Sequence, residues 1–332
     1  MEAAAARTGQ GPRRGFRAIT PRVWGALLII YVIWGSTYLA IREAVQTIPP
    51  FLMASARFLV AGAGLYVWAI RKGEVEGDRP GRKQWLAATI AGGLLLAGGN
   101  GGVVWAERHI PTGVTALVIA TVPLWMVIVG WAWARERVGL REALGVAVGF
   151  GGLILLIGAP DGRTIHLVGV LAALVGAMCW ATGSVYSKRA PLPRRPLVST
   201  AMQMLGGGAL LAILGIATGE LGDIHPDRIS LNSILGLAYL IVFGSLVAFT
   251  AYVWLLQNVR ISLVATYAYV NPVVAVFLGW AFLSERITWV TALAGGIILV
   301  AVALIVSANQ KAPPAPGPGP VPSSDQPRRA PA

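Results

Sequence analysis

The side chains best suited to catalysis avoid the apolar stretches of this 332-residue chain. Asp78, Asp161, Asp223, Asp227 and Asp325 fall in loops or tails, as do His109, His166 and His225, and Cys179 is the only cysteine. Acid–base catalysis needs carboxylates or imidazoles held at the reacting bond, and a metal centre needs clustered His, Cys or carboxylate ligands. No such pair or cluster stands at depth, and a serine nucleophile there would find no histidine base. A lone cysteine allows no disulfide within the chain. Hydrolytic, redox and metal-dependent chemistry therefore lack their residues, and the sequence calls for no cofactor and no metal.

The polar residues that do lie at depth are binding groups. Arg57 follows Phe51 by six residues, about 9 Å along a helix, and an unpaired cation there must face protein or a wet cavity. It is a candidate contact for a substrate carboxylate. Equally, it bonds carbonyls of a neighbouring helix or snorkels outward. Asn100, inside "AGGNGGVV", has an amide for a substrate or an adjacent helix. Thr37, Gln203 and Asn271 are further polar candidates, and Trp34, Trp180, Tyr252, Tyr267 and Tyr269 combine an apolar face with one donor. Such rings suit amphipathic ligands. Glu107 is a candidate proton site; with Glu43 it is one of two carboxylates near the mouth of a cavity, and it can also simply pair with Arg108 or Arg42. A proton carrier must differ in protonation between two open states. With no Asp, His or Lys at depth, weakly coupled or facilitated movement is expected. Pro123 and Pro272 remove helix hydrogen bonds and are hinge candidates or static bends.

The elements that must position these groups are membrane helices. The chain is 56% hydrophobic and 12% charged, with a mean hydropathy of +0.68. Soluble domains carry about 25% charged residues. Ten apolar runs lie near 23–41, 51–70, 85–105, 113–133, 143–159, 167–186, 197–217, 234–256, 263–283 and 287–306. Each matches the roughly 30 Å hydrocarbon core at 1.5 Å per residue. They are too long and too uniformly apolar for barrel strands, so they are helices, whose backbone groups satisfy one another. Residues 1–22 read as a basic N-terminal tail, and residues 311–332, rich in Pro, Ala and Gly, as a disordered C-terminal tail.

The net charge of +13 reports orientation. Alternate loops and the two tails hold 21 Lys and Arg on one side, against five on the other (Arg42, Arg108, Arg163, Arg228 and Arg286). The positive-inside rule then puts both termini in the cytoplasm. The basic excess needs no nucleic-acid partner; the partners expected are the lipid bilayer and a small-molecule substrate.

The chain also repeats itself. "GWAWARER" at 130–137 returns as "GWAFLSER" at 279–286. Residues 122–146 and 271–295, aligned without gaps, share nine identities in 25 positions, among them Pro123 with Pro272 and Glu136 with Glu285. An offset of 146 pairs Trp34 with Trp180 and sets Arg57 opposite Gln203. Residues 23–159 and 167–306 are thus two five-helix units. Five is odd, so the second enters the membrane from the opposite side, an inverted-topology repeat of the kind used for alternating access. Glu136 and Glu285 are expected to open the fifth and tenth helices, where a carboxylate favours a helix N-terminus, or to act in gating.

The stretches "YVIWGSTYLAIREAV", "GGNGGVVWAERHIPTGVTALVIATVPLW" and "AYVWLLQNVRISLVATYAYVNPVVAVFLGWAFLSE" resemble the EamA-type branch of the drug/metabolite transporter superfamily, and within it the bacterial inner-membrane metabolite exporters. The resemblance spans about residues 20–308. It implies an all-α integral membrane fold of ten transmembrane helices in a 5+5 inverted repeat, with a cavity lined mainly by spans 1, 3, 4, 6, 8 and 9. It also implies export of amino acids or other small amphipathic compounds. A carrier of phosphorylated substrates such as nucleotide sugars is the alternative, and would need several cations at depth.

Overall fold

The computed structural model describes residues 20–73, 80–135, 138–157, 166–259 and 261–311. Most of both tails, Glu136, Arg163 and Arg260 lie outside that set. The described residues are helical with short connections and contain no strand. In chain order the helices are α1 (Pro21–Ala44), α2 (Pro50–Arg71), α3 (Arg82–Ala106), α4 (Thr112–Trp133), α5 (Leu140–Ile157), α6 (Leu167–Ser187), α7 (Pro196–Ala217), α8 (Leu231–Asn258), α9 (Tyr267–Leu283) and α10 (Trp289–Lys311). Seven of them (α1 to α4 and α6 to α8) are long and apolar enough to cross a membrane, and Val270–Leu283 and Trp289–Ile305 are shorter apolar helices. Helix ends run past the apolar stretches, so Arg42 and Glu43 belong to α1 and Arg82 and Lys83 to α3. Pro at the first turn of α1, α2 and α7 loses nothing, because that N–H has no intrahelical partner.

The packing has a two-fold pattern. Helix α2 lies along α7, and α5 along α10. Helix α1 packs on α8 and α9, while α6 packs on α3 and α4; α2 touches α8, and α3 touches α7. Exchanging each helix for the one five places away reproduces every one of these pairings. The backbone carries the same signature. Gly93–Asn100 in α3 and Leu240–Phe249 in α8 are π-helical, at equivalent depths. The positive-φ residues also pair up: Gly73 (φ 70°) with Gly219 (φ 81°), and Arg135 (φ 54°) with Ser284 (φ 55°). The N–H of Arg135 bonds the Gly130 carbonyl as that of Ser284 bonds Gly279. The repeated "GWA" motif is thus a helix ending on a left-handed residue, a conformation uncommon outside glycine.

The loop after α9 corrects one expectation. Glu285 does not start α10, which begins at Trp289. Its carboxylate accepts the backbone N–H groups of Thr112 (2.7 Å) and Gly113 (3.1 Å) at the start of α4, more than 170 residues away. The unsatisfied donors and positive dipole end of α4 favour it there. Gly279 makes the approach possible, since a Cβ on it would lie 2.5 Å from the Glu285 carboxylate. Glu220 treats α2 similarly, accepting from Phe51 (3.2 Å) and Leu52 (2.9 Å). Thr47 donates to Ser233 (2.7 Å) and Ser233 to the Glu43 carbonyl (2.8 Å), so the loops after α1, α3, α7 and α9 gather at one end of the bundle.

Candidate functional site

Between the two halves lies a cleft walled by α1, α2, α3, α4, α6, α8 and α9. Trp34 of α1 and Trp180 of α6 meet edge to face in it, with ring centroids 5.5 Å apart. They are the repeat-related pair, and residues related by a two-fold touch only near its axis, so the axis runs through the cleft. Tyr267 packs edge-on to Trp34 at 5.4 Å. The Trp34 indole N–H points at the Gly244 carbonyl (3.4 Å).

Arg57 enters from α2. Its Nε donates to Ser245 Oγ (2.8 Å), its Nη1 is buried without a partner, and no carboxylate among the described residues pairs with it. The guanidinium carbon stands 4.6 Å from the centre of the Phe58 ring. Its other face lies on Gly244, where a Cβ would come within 2.8 Å of Nη2. Gly244 and Ser245 belong to the π segment of α8, and Leu96, Gly99 and Asn100, at the end of the π segment of α3, line the opposite side. A π turn adds a residue to the ring and shifts the facing register, and such turns recur at functional sites. The Asn100 Oδ1 is buried with no partner. The cleft therefore offers one unneutralised cation and one free amide oxygen in an aromatic wall. It has donors for an anionic group and an acceptor for an N–H or O–H.

Of the residues singled out from sequence, Trp34, Thr37, Arg57, Asn100, Trp180, Tyr267 and Asn271 line the cleft. The Thr37 hydroxyl is turned onto its own helix, donating to the Trp34 carbonyl (2.7 Å). The Asn271 amide nitrogen faces the carbonyls of Tyr267 (3.3 Å) and Tyr31 (3.1 Å). Two do not line it. Gln203 is buried in α7 and its amide folds back to Ser199 Oγ (3.0 Å). Tyr252 sits behind the aromatic wall, against Trp34 (4.9 Å) and Trp180 (5.6 Å), its hydroxyl bonded to Ser184 (2.9 Å). The side chain of Tyr269 is outside the described set. Pro123 starts the second half of α4, after a break at Ala120–Thr121, while Pro272 stands inside α9. The two are therefore not structural equivalents. Tyr38, Phe58 and Phe249 also line the cleft and were missed. Tyr38 was within reach: it lies four residues after Trp34, hence on the same helix face.

Glu107 lies just beyond the residues that line the cleft. It follows α3, one turn beyond the lining residue Val103, and is fully buried. Its Oε2 accepts from the Thr112 hydroxyl (2.8 Å) and its Oε1 has no partner. Arg42 is directed to the Glu107 backbone carbonyl. Burial pushes the Glu107 carboxyl up to about 8; the Thr112 hydrogen bond and Arg42 pull the other way, and Glu285 adds a like charge.

Residues 23–158 and 167–307 each match the family model described as the EamA-like transporter family. The chain is 39% identical over 291 residues to the uncharacterized inner membrane transporter YedA of Escherichia coli (strain K12), covering 87% of this chain and 92% of that protein. It is 28% identical over 295 residues to the uncharacterized transporter YvbV of Bacillus subtilis (strain 168), covering 88% and 94%. A crystal structure at 22% identity shares the fold with a TM-score of 0.61, over 87% of this chain and 99% of that one.

Proposed function

The chain belongs to the EamA-like transporter family and is a multi-pass membrane protein, and we propose that it is a secondary exporter of small amphipathic metabolites bearing a carboxylate, amino acids foremost. In this reading all ten helices cross a bacterial inner membrane as a 5+5 inverted repeat, both termini are cytoplasmic, and the cleft on the two-fold axis opens to each side in turn. The observation that carries it is Arg57: a buried guanidinium without a carboxylate partner among the described residues, aimed into a cleft walled by Trp34, Trp180 and Tyr267. A carboxylate on Arg57 would gain charge-assisted hydrogen bonds, and the rings would take the apolar body. Arg57 is the one cation among the lining residues. That favours a monoanion over a nucleotide sugar, whose diphosphate would leave charge unpaired.

The test is counterflow in liposomes with purified protein, over a panel of amino acids, their amides and a nucleotide sugar. Exchange of the carboxylates is expected; exchange of the nucleotide sugar alone would overturn the reading. With little coupling, an imposed pH gradient changes the rate, while the substrate gradient sets the end point. Orientation is read separately in cells. A cysteine placed at Arg228 should react with an impermeant thiol reagent from outside, and one at Arg194 should not; the reverse pattern would invert the topology.

A further inference from the structure

Two acids hold one residue just beyond the cleft, where Glu107 stands one helical turn past the lining residue Val103. Glu107 accepts from the Thr112 hydroxyl and Glu285 from the Thr112 N–H, and Thr112 is fully buried. The contacts span the bundle: Glu285 ties the end of α9 to the start of α4, and Arg42 ties the end of α1 to the Glu107 carbonyl at the end of α3. Neither carboxylate has an ion-pair partner among the described residues. The groups facing Glu107 are few. Helix α1 brings Tyr38 and Arg42, whose Nη1 is engaged by a carbonyl, the start of α4 brings the hydroxyls of Thr112 and Thr115, and the loop after α9 brings Glu285. On its own segment His109 is turned away, stacked on Trp105 with centroids 3.8 Å apart.

We propose that Glu107 is a proton-binding site that controls access to the cleft at this end: protonated, it keeps the ends of α1, α3, α4 and α9 together, and ionised, it opens them. The ionised form is the costly one in the closed state. It would be a dry anion with one oxygen unpartnered, placed against a second carboxylate through a shared threonine. Hydration of Glu107 relieves both costs, and release of Glu285 from α4 or of Arg42 from the end of α3 would admit the water. The neutral acid has no such drive. Burial and the like charge of Glu285 hold Glu107 protonated at neutral pH, so opening should increase as pH rises through its titration. This inference rests on the transport reading for its purpose only. Its test uses no substrate, so the two fail separately.

The experiment places a single cysteine at Val103, which lines the cleft one turn before Glu107, with Cys179 changed to Ser. Its rate with an impermeant thiol reagent is read in cells between pH 6 and 9. Each rate is divided by that of the same cysteine in detergent-unfolded protein, which removes the titration of the thiol. The normalised rate should rise about tenfold per pH unit below the midpoint, as a single titrating group requires. Glu107→Gln should hold it low and flat, and Glu107→Asp should restore the pH dependence. Glu285→Gln, with Glu107 intact, should move the midpoint to lower pH by removing the like charge, a shift that a merely structural Glu107 would not produce. A rate that does not change with pH, a midpoint unmoved in Glu285→Gln, or an unhindered reaction in Glu107→Gln would each overturn the proposal.

Discussion

At equivalent positions the first half of the chain presents Arg57, Asn100 and Val103 where the second presents Gln203, Phe249 and Tyr252. The backbones that carry them agree down to the placement of the π segments and the left-handed residues. Fold and chemistry have thus diverged at different rates within one molecule. A two-fold scaffold gives two matching units, which is what the proposed exchange between two open states needs. The proposed substrate is itself asymmetric, so the two halves would meet it with different side chains. The first half supplies the cation and the free Asn100 amide oxygen, each half supplies three of the lining rings, and Trp34 and Trp180 meet where the two halves join. The sharpest difference is Arg57 against Gln203: one reaches the cleft, and the other is folded onto its own helix.

The largest effect is expected from erasing that difference. Arg57→Gln makes the two halves alike at this position and removes hydrogen bonds to a charged group, each worth about 1.5–3 kcal/mol. Carboxylate exchange should fall by roughly 100-fold or more in apparent affinity, at about 1.4 kcal/mol per tenfold, while an amide analogue should be spared. Adding Gln203→Arg should not restore it, since that side chain points along α7 to Ser199. Rescue by the double variant would mean that the halves are interchangeable and would break the comparison. Equal loss for acid and amide in folded protein would make Arg57 a structural residue.

A subtler change keeps the charge and moves it. In Gly244→Ala the new methyl would stand 2.8 Å from Arg57 Nη2, the far end of a flexible side chain that can swing aside. The protein should fold, with the guanidinium displaced from the π segment of α8. An affinity loss of about tenfold, near the worth of one hydrogen bond to a charged group, is expected for carboxylates, measured in the same counterflow assay. A wild-type affinity would show that Arg57 does not need the Gly244 surface.

How much of this was legible in the sequence follows from what kind of signal each feature leaves. Composition and run length disclosed a helical membrane protein, because burying a backbone in lipid constrains every residue of a span. Nine identities between 122–146 and 271–295 disclosed the repeat. The π segments left no mark, since an added residue in the hydrogen-bond ring needs no particular side chain. They nonetheless aim Asn100 and Gly244 at the cleft. Repeat logic misled at Gln203, because it transfers backbone position and not rotamer: the shorter amide finds Ser199 four residues back on its own helix. Glu285 was seen as half of a matched pair, but its partner on α4 lies too far along the chain for any local pattern to indicate.

The smallest expected effect tests the axis itself. If Trp34 and Trp180 meet on the two-fold, each supports the other and neither half is independent there. Their edge-to-face geometry, at 5.5 Å and 86°, is the arrangement in which a ring edge meets the negative face of its partner. Such pairs contribute about 0.5–1.5 kcal/mol beyond the area they bury. Trp34→Leu and Trp180→Leu should each destabilise the protein, read by unfolding in a denaturing detergent series. The double variant should be less unstable than the sum by roughly that amount, because the second substitution removes a contact already lost. Each ring also touches Tyr252, at 4.9 and 5.6 Å, so the same cycle run in a Tyr252→Leu background separates the direct contact from one relayed through that ring. Additive losses in both backgrounds would mean that the two halves meet elsewhere, and the cleft would then lose its place on the axis.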